Sequence, residues 1–102
     1  MKKLYSCRAT ITDEYALISY YTKVVNFTTM DDKLYCEIYR ASMTTMSHIR
    51  KYIEWLRENH KELYADLLEF TYRQSVYKKF HIYSTSYNYA TGEIEEYVGE
   101  VS

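Results

Sequence analysis

The sequence predicts an α+β domain: an antiparallel sheet of about five strands with a central helix pair packed on one face, in the order strands, helix, helix, strands. Three observations predict it. Apolar residues recur at every second position up to about residue 40 and again from residue 75, the period of a half-buried strand. Between these regions Met46, Ile49, Ile53 and Leu56, then Leu63, Leu67 and Phe70, recur at spacings of three and four, the period of a helix. Every strand link but the helical one is short enough for a hairpin, which joins antiparallel neighbours.

In chain order, Tyr5, Cys7, Ala9 and Ile11 share one face of a strand over residues 3–11, opposite Leu4, Ser6, Arg8 and Thr10. Thr12-Asp13-Glu14 reads as a turn. Residues 15–27 are rich in β-formers, with the alternation broken near Thr22-Lys23, so they form one bent strand or two. Met30-Asp31-Asp32-Lys33 reads as a hairpin turn. Its return strand, Leu34 to Tyr39, sets Leu34, Cys36 and Ile38 against Tyr35, Glu37 and Tyr39.

The first helix starts at Thr44 or Thr45, whose hydroxyls can accept from an orphan amide one turn in. Tyr52 and Trp55 flank its stripe. Trp55, the single tryptophan, is expected at the edge of the core, with a partner anchor as the competing reading. His48 lies in the first turn, where the positive end of the helix favours a neutral imidazole. Asn59 followed by Glu62 reads as the N-cap of a second helix running to about Arg73, with Tyr64 and Leu68 beside its stripe. From Ser75 the period is two: Val76, Lys78, Phe80, Ile82 and Ser84 alternate with Tyr77, Lys79, His81, Tyr83 and Thr85. Ala90-Thr91-Gly92-Glu93 is a turn. Ile94, Glu96, Val98 and Glu100 alternate with Glu95, Tyr97, Gly99 and Val101 in a last strand.

The length of 102 residues predicts one domain over 1–102. No apolar run approaches the roughly 20 residues of a membrane span. No apolar signal core follows Lys2 and Lys3, so a cytoplasmic location is expected, and Cys7 and Cys36 are read as reduced thiols. The net charge of −1 conceals an asymmetry: residues 1–52 hold eight basic and five acidic side chains, residues 53–102 five and nine. Two glycines and no proline exclude glycine-rich phosphate loops and argue against flexible linkers. Fourteen tyrosines exceed what so small a core can bury, so some must be exposed in groups. Such rings suit binding surfaces.

Catalytic motifs are lacking. Cys7, Cys36, His48, His60 and His81 have no metal-ligand spacing, and Glu95 and Glu96 lie on opposite faces of a strand. No enzyme, no metal and no cofactor are expected, although a Cys–His pair could still meet in space. Ser42, Thr44, Thr45 and His48 form a candidate anion or capping site at a helix start.

Two stretches carry a resemblance. Ser19-Tyr20-Tyr21-Thr22-Lys23-Val24 is followed about twenty residues later by Ser42-Met43-Thr44-Thr45-Met46-Ser47-His48. Together they resemble a family of small uncharacterised proteins from phages and mobile elements that share an S-Y-x-T-x-V strand and an S-x-T-T-x-x-H helix start. The match covers about residues 15–56, and the family carries residues other than Tyr21 and Lys23 at those places. It brings no activity. It implies a setting: an accessory protein in a bacterial host cell, binding a host protein, including inhibitors of defence nucleases such as anti-CRISPR proteins.

The expected function is therefore a non-enzymatic binding protein that takes a host protein on Tyr83, Tyr87, Tyr89, Glu93, Glu95, Glu96 and Tyr97. The alternative is a nucleic-acid binder, with Tyr77, Tyr83 and Tyr87 stacking on bases and Lys78, Lys79, Arg8 and Arg40 on phosphates. A homodimer formed by pairing of unguarded sheet edges is the third reading.

Overall fold

A computed structural model describes residues 1–5, 7–40 and 42–98. Among the described residues seven strands form one antiparallel sheet: β1 (Lys2–Lys3), β2 (Ala9–Ile11), β3 (Leu17–Ser19), β4 (Thr22–Met30), β5 (Lys33–Tyr39), β6 (Ile82–Asn88) and β7 (Ile94–Val98). Their spatial order is their chain order. Two helices, α1 (Met43–Glu58) and α2 (Glu62–Lys78), connect β5 to β6, and those two strands are themselves neighbours over seven residue pairs. The helices therefore do not divide two sets of strands. They are a long connection within one continuous meander.

The strand count rises from five to seven because two predicted strands break. In the first, Leu4 is fully buried and Tyr5 is exposed, the reverse of the expected faces. Tyr5 takes φ 51°, and the amides of Leu4 and Cys7 bond to Ala9 and Leu4 carbonyls, closing a turn between β1 and β2. The Tyr5 hydroxyl donates to Glu58 on α1. Ser6 lies outside the described residues, as do Gly99, Glu100 and Val101 of the predicted last strand. The second break falls at Tyr20-Tyr21, ahead of the expected Thr22-Lys23. Tyr20 takes φ 57°, and the register shifts between Leu17 and Ile18, where Leu17 pairs with Val25 and Ile18 with Lys23. Val24 is the extra residue of a bulge and is buried with Val25.

The β4–β5 turn matches its expectation. Asp31 and Asp32 both have positive φ, 53° and 60°, the conformation whose twist suits a two-residue hairpin.

Both helices lie on one face. Leu17, Val25, Phe27, Leu34, Cys36, Ile38, Tyr83 and Thr85 share that face through the strand register, and all are buried. From the helices Ile49, Tyr52, Leu56, Ala65, Leu67 and Leu68 meet them with at most 1% exposure. Burying each of the leucine and isoleucine side chains contributes about 1.5–3 kcal/mol. Tyr52, expected to flank the stripe, is fully buried and donates its hydroxyl to the Tyr15 carbonyl at 2.6 Å. Trp55 stays half-buried beside it, ring centroids 5.9 Å apart, with the Lys2 ammonium 5.9 Å from its ring.

The second helix differs at both ends. Asn59 closes α1, its side chain donating to the Trp55 carbonyl at 2.8 Å. His60 at φ 60° turns the chain, and α2 starts after Lys61 without a side-chain cap. At its other end α2 runs on to Lys78, through residues read as strand. Thr71 and Ser75 are fully buried, and their hydroxyls donate back to the Leu67 and Tyr72 carbonyls. Lys79 then takes φ 61°, and the Phe80 amide bonds to the Ser75 carbonyl at 2.9 Å. That closure normally uses glycine; a lysine makes it here.

Candidate functional site

The two stretches that carry the resemblance meet in space. Ser19 at the end of β3 and His48 in the second turn of α1 are 3% and 4% exposed, and Ser19 Oγ lies 2.7 Å from His48 Nδ1. The Tyr20 ring packs 5.7 Å from the imidazole. His48 is held below its ordinary pKa, first by burial and then by Lys51. The expected neutrality follows mainly from desolvation rather than from the helix end. The pair has the elements of a nucleophile and a base, but both members are buried, and nucleophilic attack needs a substrate to reach the hydroxyl. The geometry fits a tie between strand and helix.

The rest of that cluster caps α1. Ser42, not Thr44 or Thr45, is the N-cap: its Oγ accepts from the Thr45 amide at 3.2 Å and donates to Thr45 Oγ1 at 3.1 Å. Thr45 is buried and Thr44 exposed. With that amide taken and His48 turned to Ser19, the hydrogen bonds these residues make are those of a helix cap and of a tie to β3.

The expected partner surface divides between the faces of the sheet. Tyr83 is fully buried, which removes it from any contact surface. It stands on the helix side of β6, stacked on Phe80 at 5.7 Å, and its hydroxyl donates to Glu96. Lys78 donates to both, at 3.2 Å each. These donors, the Tyr83 hydroxyl first, hold the Glu96 carboxylate below its usual pKa. Tyr87, half-buried, and Tyr89, 47% exposed, pack edge to face at 5.7 Å. Glu93 is exposed in the β6–β7 turn. Only Glu95 and Tyr97 stand on the face the helices leave open.

There they join residues the sequence reading did not select. A shallow groove of about 330 Å³ is lined by Asn26, Thr28, Met30, Tyr35, Glu37 and Tyr97. Tyr35 and Tyr97 are 6.2 Å apart and tilted by 33°. The Tyr97 hydroxyl donates to Glu95 at 2.8 Å and lies 3.3 Å from Ser86 Oγ. Lys33 pairs with Glu95 at 3.7 Å. Met30 is 54% and Tyr97 38% exposed. The signal was present: Tyr35 and Glu37 alternate with the apolar Leu34, Cys36 and Ile38, so covering the latter by helices leaves the former open.

The alternative nucleic-acid set scatters. Tyr77 is 81% exposed at the end of α2, but Arg40 is committed to backbone: it donates to the Phe80 carbonyl at 2.7 and 3.1 Å and to the Ser75 carbonyl at 3.1 Å. Lys78 is tied to Glu96, and Arg8 lies across the sheet beside β2. Cys7 and Cys36 are free thiols with two strands between β2 and β5. Burial pushes the Cys36 thiol up to about 12. Among the described residues no three His, Cys, Asp or Glu side chains gather to hold a metal ion, and no helix is long and apolar enough to cross a membrane.

Another concavity, about 660 Å³, lies where the sheet is notched, between Tyr15, Phe27, Thr29 and Tyr64. β3 pairs with β4 only as far as Val25, while β4 continues to Met30. Comparison with family models, with curated proteins and with solved structures finds no match to this chain.

Proposed function

We propose that the protein is a small non-enzymatic binding accessory, encoded by a phage or mobile element, that acts in the bacterial cytoplasm by occupying a host protein. An inhibitor of a defence nuclease, such as an anti-CRISPR protein, is the form of that activity the resemblance favours. The observation that carries the reading is the uncovered end of the sheet over β4–β7. Tyr35, Tyr97 and Met30 form an apolar centre there, and Glu37 and Glu95 form a polar rim, the composition of a protein contact patch. A hydrogen bond donated by Tyr97 to Glu95, and one it accepts from Ser86, hold that ring in place before a partner arrives, which lowers the entropic cost of contact. Edge-to-edge pairing of two copies through β7 is opposed by Glu93, Glu95 and Glu96, which set like charges against each other.

The test is capture from bacterial lysate by the tagged chain after nuclease treatment, with Tyr35→Ala/Tyr97→Ala beside it. A partner held by the wild type and lost by the variant, at unchanged circular dichroism, supports the reading. Equal capture by the folded variant refutes the surface.

A further inference from the structure

The open face changes character toward the other end of the sheet. A second cleft, about 370 Å³, opens beside β1 and β2 and is lined by Lys3, Cys7, Arg8, Thr10, Tyr20 and Tyr21 among others, with no Asp or Glu among its lining residues. Lys3 and Arg8 are exposed, Tyr20 is 53% exposed and Tyr21 100%. The row continues across the sheet: Lys3 pairs with Thr10, Thr10 with Ile18, and Ile18 with Lys23. Lys3 and the exposed Lys23 therefore stand on the same face three strand spacings apart, about 14 Å. Among the described residues neither Lys3, Arg8 nor Lys23 is in an ion pair.

Tyr21 has no role in the fold that its exposure allows. It sits in a turn whose preceding residue, Tyr20, takes φ 57°, a place where glycine or asparagine is the ordinary choice. Tyr20 and Tyr21 line the cleft with two unpaired cations, Lys3 and Arg8, and no carboxylate, and the exposed Lys23 continues the row on the same face; aromatic rings beside cations are what an unpaired nucleic-acid strand requires. Rings stack on bases of any sequence, and cations follow the phosphates. We propose that this cleft binds single-stranded nucleic acid, with Tyr21 as the stacking platform, Tyr20 at its edge, and Lys3, Arg8 and Lys23 on successive phosphates. The site shares only Arg8 with the scattered set described above. It is separate from the Tyr35–Tyr97 patch, so the two stand or fall independently.

The experiment is fluorescence anisotropy of a labelled single-stranded oligonucleotide of about 15 residues, within the site sizes such grooves cover, titrated with the intact chain. Three phosphate contacts predict a slope of log K against log salt near −2, or roughly twentyfold weaker binding between about 50 and about 200 mM salt. Tyr21→Ala is expected to weaken binding about tenfold without moving the thermal midpoint, because its side chain is fully exposed. Lys3→Ala/Arg8→Ala is expected to flatten the salt slope, and Lys33→Ala, at the far end of the face, to change nothing. The proposal is overturned by an absence of saturable binding at about 50 mM salt. It is equally overturned if Tyr21→Ala binds as the wild type does. Full competition by a poly-glutamate peptide at matched charge would also overturn it, since the cleft would then be a seat for an acidic protein.

Discussion

Replacing Ser19 by alanine removes the hydrogen-bond partner of a buried histidine. Ser19 and His48 are 3% and 4% exposed and 2.7 Å apart, so no bulk water takes the place of the lost hydroxyl. Leaving a buried polar atom unpaired costs about 1–3 kcal/mol, which in a chain of this length lowers the thermal midpoint by about 5–14 °C. The pair also sets a pH dependence. Burial, then Lys51, hold the His48 pKa below 6.5, so on acidification the unfolded chain takes up the proton first. Stability is full above about pH 6.5 and falls below it, by at most about 1.4 kcal/mol per pH unit, until the folded histidine also titrates. Glu96 behaves in the same sense but further down, its contribution being lost only as pH falls below about 4.5. Urea unfolding followed by Trp55 fluorescence between pH 8 and 5.5 measures both effects. Ser19→Ala should unfold at lower urea at pH 8, and His48→Gln should flatten the decline below pH 6.5. A wild-type midpoint for Ser19→Ala, or a wild-type stability unchanged down to pH 5.5, refutes the reasoning.

Further outcomes follow from other contacts. Ser19 should resist a serine-reactive fluorophosphonate in the native protein, since a buried tie presents no nucleophile; stoichiometric labelling would make the pair catalytic. A thiol reagent at pH 8 should modify Cys7, which is partly exposed, well before Cys36, whose thiol is fully buried and pushed up to about 12; mass spectrometry of the partly labelled chain decides it. Asp32→Gly and Lys79→Gly relieve positive φ of 60° and 61°, and each should raise stability by about 0.5–1 kcal/mol in chemical denaturation. Arg40→Ala releases the Ser75 and Phe80 carbonyls from three donors and should cost about 2 kcal/mol. Arg40→Lys should recover less than half of that, because an ammonium cannot reproduce the fork.

What the sequence determined by itself was local. A period of two or of 3.6 records which side of a segment is dry, and that was enough for an α+β class, the Asp31–Asp32 hairpin, the Leu34, Cys36 and Ile38 face, and the Ile49, Ile53 and Leu56 stripe. It did not count the strands, because turns built on tyrosines at 5 and 20 carry no glycine or proline to announce them. It misplaced the end of α2, because Ser75 to Lys78 alternate like a strand. Only the tertiary structure decided that Ser75 is buried and bonds back to Tyr72 while Arg40, 35 residues earlier, reaches its carbonyl. The same holds for the candidate sites. Period two assigns Tyr83 and Tyr97 each to a face of its own strand, but how the two strands register, and which face the helices cover, depend on contacts made across the chain. That choice buried Tyr83, left Tyr97 beside Tyr35, and brought Ser19 to His48 across 29 residues. Local pattern cannot encode such pairings, since each is settled by what packs against a segment from elsewhere in the chain.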